Sequence, residues 1–306
     1  MKEIYLRAPA TVGNVGPGFD IFAFSLKEPY DEFEIRLTNS DSIDVEIQNS
    51  IVELPTVPSD NTGSLAVIHL LEKLGIKRGI HITIQKKMPI SSGLGSSGAS
   101  AAASIYGVNK ILGLGLSNNE MIDIARRGEV VSGGSPHADN VAAALLGGFI
   151  FIRSYKPMDV GRIEIPRIPL VLNVMRKKEK TTRSFIPGEL SLSLVGEQTS
   201  HCAMVIHSLM KGDIEEFGEA IRCDHISEPI RSNSIKGYWE IKEKILDAGA
   251  YGFNISGGGS SVFAVCNEEN QDEIAHLMEQ EFKKRGQTPH IITTETCNEG
   301  VKELNN

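Results

Sequence analysis

The segment Pro89-Ile90-Ser91-Ser92-Gly93-Leu94-Gly95-Ser96-Ser97-Gly98 joins two stretches of opposite period. Before it, Ile80, Ile82 and Ile84 alternate with polar residues, as in a half-buried strand. After it, Ala99-Ser100-Ala101-Ala102-Ala103 reads as the first turns of a helix. Glycines and small hydroxyl residues at a helix start leave backbone N–H groups pointing outward. The positive end of the helix dipole lies behind them, which makes an anion site, most often for phosphate. Gly93 and Gly95 are expected to let the backbone approach the anion where a side chain would collide. Ser96 and Ser97 are expected to offer hydroxyls to a phosphate oxygen or a divalent ion. A plain strand-to-helix turn explains glycine but not the serines.

Two familiar phosphate sites do not fit. Gly93-x-Gly95-x-x-Gly98 matches the dinucleotide fingerprint. That fingerprint requires a second strand ending in an acid about 20 residues on. Here the helix runs out near Leu112, and Gly113-Leu-Gly-Leu-Ser117-Asn-Asn-Glu120 opens another helix instead. The Walker pattern, glycine followed at fixed spacing by Gly-Lys-Ser/Thr, is absent from the chain. A formal charge of -8 argues against a general nucleic-acid or anionic-membrane binder. No apolar run approaches the ~20 residues of a membrane span. Met1-Lys-Glu-Ile-Tyr-Leu-Arg7 lacks a signal-peptide core. Cys202, Cys223, Cys266 and Cys297 are widely spaced, so reduced thiols and a cytoplasmic location are expected.

The pattern along the 306 residues implies an α+β protein. Phe33-Ile35-Leu37 and Ile43-Val45-Ile47 suit half-buried antiparallel strands. Leu65–Leu74 and Ser117–Val130 read as helices, the second with a Ser/Asn cap signal. Gly148–Arg153 reads as a buried strand. Beyond Tyr155 the chain is interrupted by Pro157, Pro166 and Pro169, which sets an expected boundary between domains at 1–155 and 156–306. In the second half, strands at Leu170–Met175, Tyr251–Ile255, Val262–Val265 and His290–Thr294 interleave with helices at Ser193–Met210, Asp213–Arg222, Ser234–Asp247 and Gln271–Arg285.

Two further segments are rich in glycine: Arg7-Ala-Pro-Ala-Thr-Val-Gly-Asn14-Val-Gly-Pro-Gly-Phe-Asp20 and Asn254-Ile-Ser-Gly257-Gly258-Gly259-Ser-Ser-Val-Phe. With the phosphate loop, they give the chain a pattern that resembles the GHMP kinases. Gly134-Ser-Pro-His137-Ala-Asp139-Asn140-Val, followed by Gly147-Gly148-Phe, is similar to the homoserine kinase branch. The likeness spans nearly the whole chain. It departs from the family pattern at Thr11-Val12-Gly13, at Gly98, where alanine is usual, and at Ser260, where proline is usual.

The resemblance implies a two-domain GHMP kinase fold, with an N-terminal ribosomal-protein-S5-like domain and a C-terminal ferredoxin-like α/β sandwich. It implies transfer of phosphate from ATP, with Mg²⁺, to the side-chain hydroxyl of L-homoserine. Pro89 to Ala99 would hold the phosphates, and Asn61 and Lys86 or Lys87 would contact adenine. Ser97 and Glu129 would hold the metal. Homoserine is a zwitterion, so its pocket needs a carboxylate and arginines, whose forked guanidinium suits a carboxylate. By motif, Asp20 would take the ammonium, Arg183 and Arg231 the carboxylate, and Asn14, His137 and Asn140 the hydroxyl and backbone. Gly257, Gly258 and Gly259 form the third glycine loop. Asn140 would orient the hydroxyl, with Asp139 as an alternative base. A homodimer is the expected assembly. Two alternatives stand beside this reading. One is a GHMP kinase acting on mevalonate, shikimate or a sugar; the other is a catalytically silent nucleotide sensor.

Overall fold

The structure is a computed structural model that describes residues 2–175 and 185–304. Its first sheet is organised around one long strand, β2 (Phe22–Thr38). Strand β1 (Glu3–Gly13) pairs antiparallel along β2, and β4 (Gly79–Gln85) pairs antiparallel with its second half. Strand β3 (Ile43–Gln48) lies outside β4. The start of β2 carries the hairpin of β5 (Phe149–Tyr155) and β6 (Met158–Ile163), and β11 (Lys302–Glu303) borders β1. Helices α2 (Ser96–Leu112) and α5 (Asp139–Leu146) rest on β1 and β2, with α1 (Thr62–Leu74) beside α2. Between them run α3 (Asn118–Ala125), a 3₁₀ turn (Arg126–Glu129) and the single turn α4 (Val130–Gly133).

The second sheet is ordered β10–β7–β9–β8, from β7 (Pro169–Asn173), β8 (Gly252–Ile255), β9 (Val262–Val265) and β10 (Ile291–Glu295). Its helices are α6 (Leu192–Lys211), α7 (Ile214–Ile221), α8 (Glu228–Arg231), α9 (Tyr238–Asp247) and α10 (Gln271–Lys284). Side chains alternate across a strand, so one strand can serve two cores. Leu170, Leu172, Phe263 and Val265 join the core of the first sheet, where Phe24 meets Phe263 edge-on at 5.8 Å. Val171, Val262 and Ala264 face the other way, onto Ile241, Ile245, Ile274 and Phe282 of α9 and α10. The second sheet is therefore sandwiched between the first half of the molecule and its own helices.

Four expectations need revision. The strand Ile43–Gln48 is parallel to β4, not antiparallel: α1 supplies the crossover that parallel neighbours need, and alternation alone looks the same either way. The helix expected over Ser117–Val130 keeps its Ser117 cap but tightens to 3₁₀ after Ala125. There Gly128 passes so close to the Thr62 carbonyl that a Cβ would collide with it. The helix expected from Ser234 starts at Tyr238, behind a left-handed Gly237. Beyond Tyr155 the chain first returns to the first sheet as β6, and it reaches the second sheet only at Pro169.

The packing of α10 on α9 is tied by one buried acid. Glu281, 1% exposed, accepts from Lys244 Nζ at 2.8 Å, Lys284 Nζ at 2.7 Å and Arg285 Nη1 at 2.7 Å. The hydrogen bonds from these cations hold its carboxyl down to about 2, below the ordinary 4.5. A depressed carboxyl stabilises the fold above its ordinary value and loses that contribution as pH falls through the folded one. Because the lysines are half exposed, we expect Glu281→Gln to cost about 1–2 kcal/mol at pH 7 and almost nothing near pH 2. Denaturant melts across this range check it. A loss independent of pH would remove the ion cluster as its cause.

Candidate active site

Three glycine-rich segments meet backbone to backbone. Thr11 N donates to Leu94 O at 3.0 Å, Gly257 N to Gly13 O at 2.9 Å, and Ser256 Oγ to Gly93 O at 2.8 Å. A Cβ on Gly93 would lie 2.6 Å from Ser256 O, and one on Gly98 3.2 Å from Asn140 Cβ. Gly95, at φ 65° and at the N-cap of α2, has no room for a Cβ because Thr11 Oγ1 occupies that space. Contacts among the segments themselves thus call for glycine at 93 and 95, beside any close approach of a phosphate. The unusual Gly13 and Gly98 belong to the same contacts, since both pack on the start of α5.

The loop serines point to different partners. Ser92 Oγ donates to Pro89 O at 2.7 Å and shapes the loop. Ser96 Oγ does not face outward. It lies 2.8 Å from Lys86 Nζ, which also donates to Asp31 Oδ2 at 2.6 Å. Asp31 in turn accepts from Lys87 N and Met88 N at 2.8 and 2.9 Å. Asp31 and Lys86 form a buried ion pair that pins the first turn of α2 to β2 and β4. Ser97 Oγ is the hydroxyl that reaches an acid, donating to Glu129 Oε2 at 3.0 Å. Glu129 Oε1 is buried with no hydrogen-bond partner among the described residues. Burial pushes the Glu129 carboxyl up to about 7, Ser97 opposing and Asp139 reinforcing. An orphaned acid oxygen beside a serine, at a helix start built for phosphate, suits a hard divalent cation that takes its other ligands from phosphate and water. Among the described residues no cluster of three or more His, Cys, Asp or Glu could hold a metal by itself.

The residues expected to touch adenine are engaged within the protein. Asn61 caps α1, its Oδ1 accepting from Gly63 N and Ser64 N while Nδ2 donates to Pro55 O. Lys87 pairs with Glu32 at 2.5 Å and lies 5.1 Å over the Tyr30 ring.

On the acceptor side, Asp20 and His137 come together, Oδ1 to Nδ1 at 3.5 Å. Both Asn14 and Asp20 have positive φ, 54° and 61°. Asn14 Oδ1 accepts from Asp20 N at 2.9 Å and so ties the two ends of the loop. Tyr155 Oη donates to Asp20 O at 3.1 Å. Thr11 Oγ1 donates to Asn140 Oδ1 at 2.7 Å, leaving the Asn140 amide 3.5 Å from Asp139 Oδ2. Burial raises the Asp139 carboxyl, with Asp20 adding and His137 opposing. Burial and the same two acids push the Tyr155 phenol up to about 12. Arg231 is buried, its guanidinium 5.1 Å over the Phe19 ring and donating from Nη1 to Gly257 O at 2.7 Å. It therefore joins the third glycine loop to the loop that carries Asp20. Arg183 lies outside the described residues. Sequence reasoning missed Thr11, Asp31 and Tyr155. Asp31 had a signal: it shares the inward parity of Phe33 and Ile35 on β2, so an acid there had to be buried.

The anion-ready helix start, the serine–glutamate pair and the flanking glycine loops define a small-molecule kinase of one family. The family model for the GHMP kinases N terminal domain matches residues 62–148, and that for the GHMP kinases C terminal region matches residues 205–284. The chain belongs to the GHMP kinases, which use ATP. A homoserine kinase of Methanococcus maripaludis is 35% identical over 92% of this chain and 93% of its own length. Another, from Chlorobaculum tepidum, is 38% identical over 92% and 91%. The crystal structure of homoserine kinase from Cytophaga hutchinsonii matches 99% of this chain and 98% of its own, with a TM-score of 0.90 at 35% identity.

The collision at Gly95 can be tested directly. Gly95→Ala should destabilise the protein by roughly 1–3 kcal/mol, from the left-handed backbone and the clash with Thr11. Thr11→Ala in the same chain should recover part of that loss, a favourable coupling read from a double-mutant cycle in thermal melts. Strictly additive losses would show that Thr11 is not the obstacle.

Proposed function

We propose that this chain transfers the terminal phosphate of ATP to the side-chain hydroxyl of L-homoserine, giving O-phospho-L-homoserine and ADP. The observation that carries the acceptor is the pairing of opposite readers across one loop: Asp20 with His137 on one side, and Arg231 stacked on Phe19 on the other. Homoserine carries both an ammonium for Asp20 and a carboxylate for Arg231. Mevalonate has no ammonium, and a sugar has neither charge. The Ser97–Glu129 pair disfavours a silent nucleotide sensor, which has no use for a metal site.

Phosphoryl transfer depends mainly on alignment and on charge stabilisation, so no strong base is required. The start of α2 receives the phosphates. Asn140, fixed by Thr11, orients the attacking hydroxyl, and Asp139 steadies the Asn140 amide. Ser97 and Glu129 would hold Mg²⁺, which when bound neutralises charge building on the transferred group.

Truncating a buried arginine that faces a carboxylate typically costs 2–5 kcal/mol. Arg231→Leu should therefore lower kcat/KM for homoserine by roughly 30-fold or more. It should narrow the parent's preference for homoserine over aminopropanol, the analogue without the carboxylate. Equal proportional loss for both acceptors would mean that Arg231 does not read the carboxylate. Glu129→Gln removes one negative ligand. It should leave ATP affinity nearly unchanged, slow turnover and raise the Mg²⁺ concentration for half-maximal rate. A variant with the parent's rate and Mg²⁺ titration would exclude Glu129 from the metal site.

A further inference from the structure

Behind the acceptor residues lie two buried polar side chains that none of the sequence motifs contains: Gln198 on α6, 6% exposed, and Asp224 in the turn between α7 and α8, 4% exposed. Gln198 Nε2 donates to Pro17 O at 2.8 Å, in the loop that ends with Phe19 and Asp20. It also donates to Asp224 Oδ1 at 3.2 Å, while its Oε1 accepts from His225 N at 3.0 Å. Asp224 accepts from Ile226 N and Ser227 N at Oδ1, and from Glu228 N and the Ser227 hydroxyl at Oδ2. Ser227 is the N-cap of α8, the single turn that ends in Arg231, and Ser227 Oγ accepts from Arg231 Nη1 at 3.3 Å. An unbroken series of hydrogen bonds thus runs from the Asp20 loop through an amide and a carboxylate to the Arg231 guanidinium.

Such a buried group is costly unless every partner is in place, and apolar residues of similar volume would hold α6 against the turn without that demand. What apolar packing cannot do is fix one loop against another through directed bonds of set length. Nε2 donates one hydrogen to each side, so the place of this nitrogen on α6 sets the span between them. We infer that Gln198 and Asp224 are positioning residues that set the distance between the ammonium reader, Asp20, and the carboxylate reader, Arg231, and so select the length of the zwitterionic acceptor. This rests on the homoserine reading.

The test separates acceptor selection from general damage. Gln198→Leu keeps volume but cannot donate; Gln198→Glu, a second variant should the first fail to fold, keeps shape and the acceptor for His225 N. KM and kcat are measured for homoserine, aminopropanol and ATP, with calorimetric affinity for homoserine alongside. The expected result is a KM for homoserine raised about tenfold and affinity weakened in step. Changes for ATP should stay within about twofold, and kcat/KM for aminopropanol should fall less than threefold, because that acceptor never uses the span to Arg231. A parallel loss for homoserine, aminopropanol and ATP would overturn the inference and leave Gln198 a plain core residue. Turnover of homoserine by the parent decides the underlying reading separately. If the parent turns it over and the variants bind it unchanged, only the positioning role falls.

Discussion

The close approach of three glycine-bearing backbones governs the centre of this molecule. Gly93 lies against Ser256 and Gly257, Gly13 bonds to Gly257, and Gly95 and Gly98 press on Thr11 and Asn140. A methyl group on Gly13, Gly93, Gly95 or Gly257 would collide with a facing segment, and one on Gly98 would be tight. A start to α2 that is open for phosphate can exist only because the N-terminal loop and the third glycine loop buttress it from behind. The segments are far apart in sequence, so the long-range hydrogen bonds among them also fasten the second sheet to the first. Nucleotide loop, acceptor loop and inter-sheet packing are in this sense one structure.

Charge follows the same economy of place. Asp31 and Lys86 neutralise one another beneath the first turn of α2, where breaking a buried pair is far costlier than forming it is favourable. Glu129 and Asp139 have no such partner among the described residues, and burial raises both. Under the proposed function the difference separates scaffolding from chemistry: Asp31 and Lys86 are matched within the protein, whereas Glu129 and Asp139 would meet a charge that arrives with the reactants. A cation beside Glu129 reverses the effect of burial and favours the carboxylate.

Much of this was legible in the residues, and the limits have physical causes. The strand–glycine–helix pattern around Gly93–Ala99 was legible, because alternation and helix-start chemistry are local signals. Ser97 and Glu129, named as a pair by the family resemblance, meet in space, as do Asp20 and His137, which it named for separate roles. The direction of a glycine's missing Cβ was not legible, since it depends on what the rest of the chain puts there. Asn14 and Asn61 also bond to the backbone of their own loops, a role the motifs did not announce and one in which asparagine is common at left-handed and capping positions. The parallel pairing of β3 was hidden because one-sided burial gives the same alternation in either direction. Gln198 and Asp224 carry no motif at all. Their meaning lies in which loops they join.

Shared architecture does not choose the acceptor. One fold can carry many chemistries, and the choice among them lies in the site. In this chain the phosphate loop is built into the sheet and the long helix α2, with Leu94 in the core. The acceptor side is made differently: left-handed turns at Asn14 and Asp20, the short segment around His137, and the single turn that bears Arg231. Short segments tolerate sequence change without disturbing the sheet, so the acceptor can change while phosphate transfer is retained. The cost of that freedom is that short segments need external bracing. Tyr155 at the end of β5 supplies it for Asp20, and Asp224 supplies it for Arg231. If these loops read the acceptor as proposed, its selection depends as much on the braces behind them as on the charges that they present.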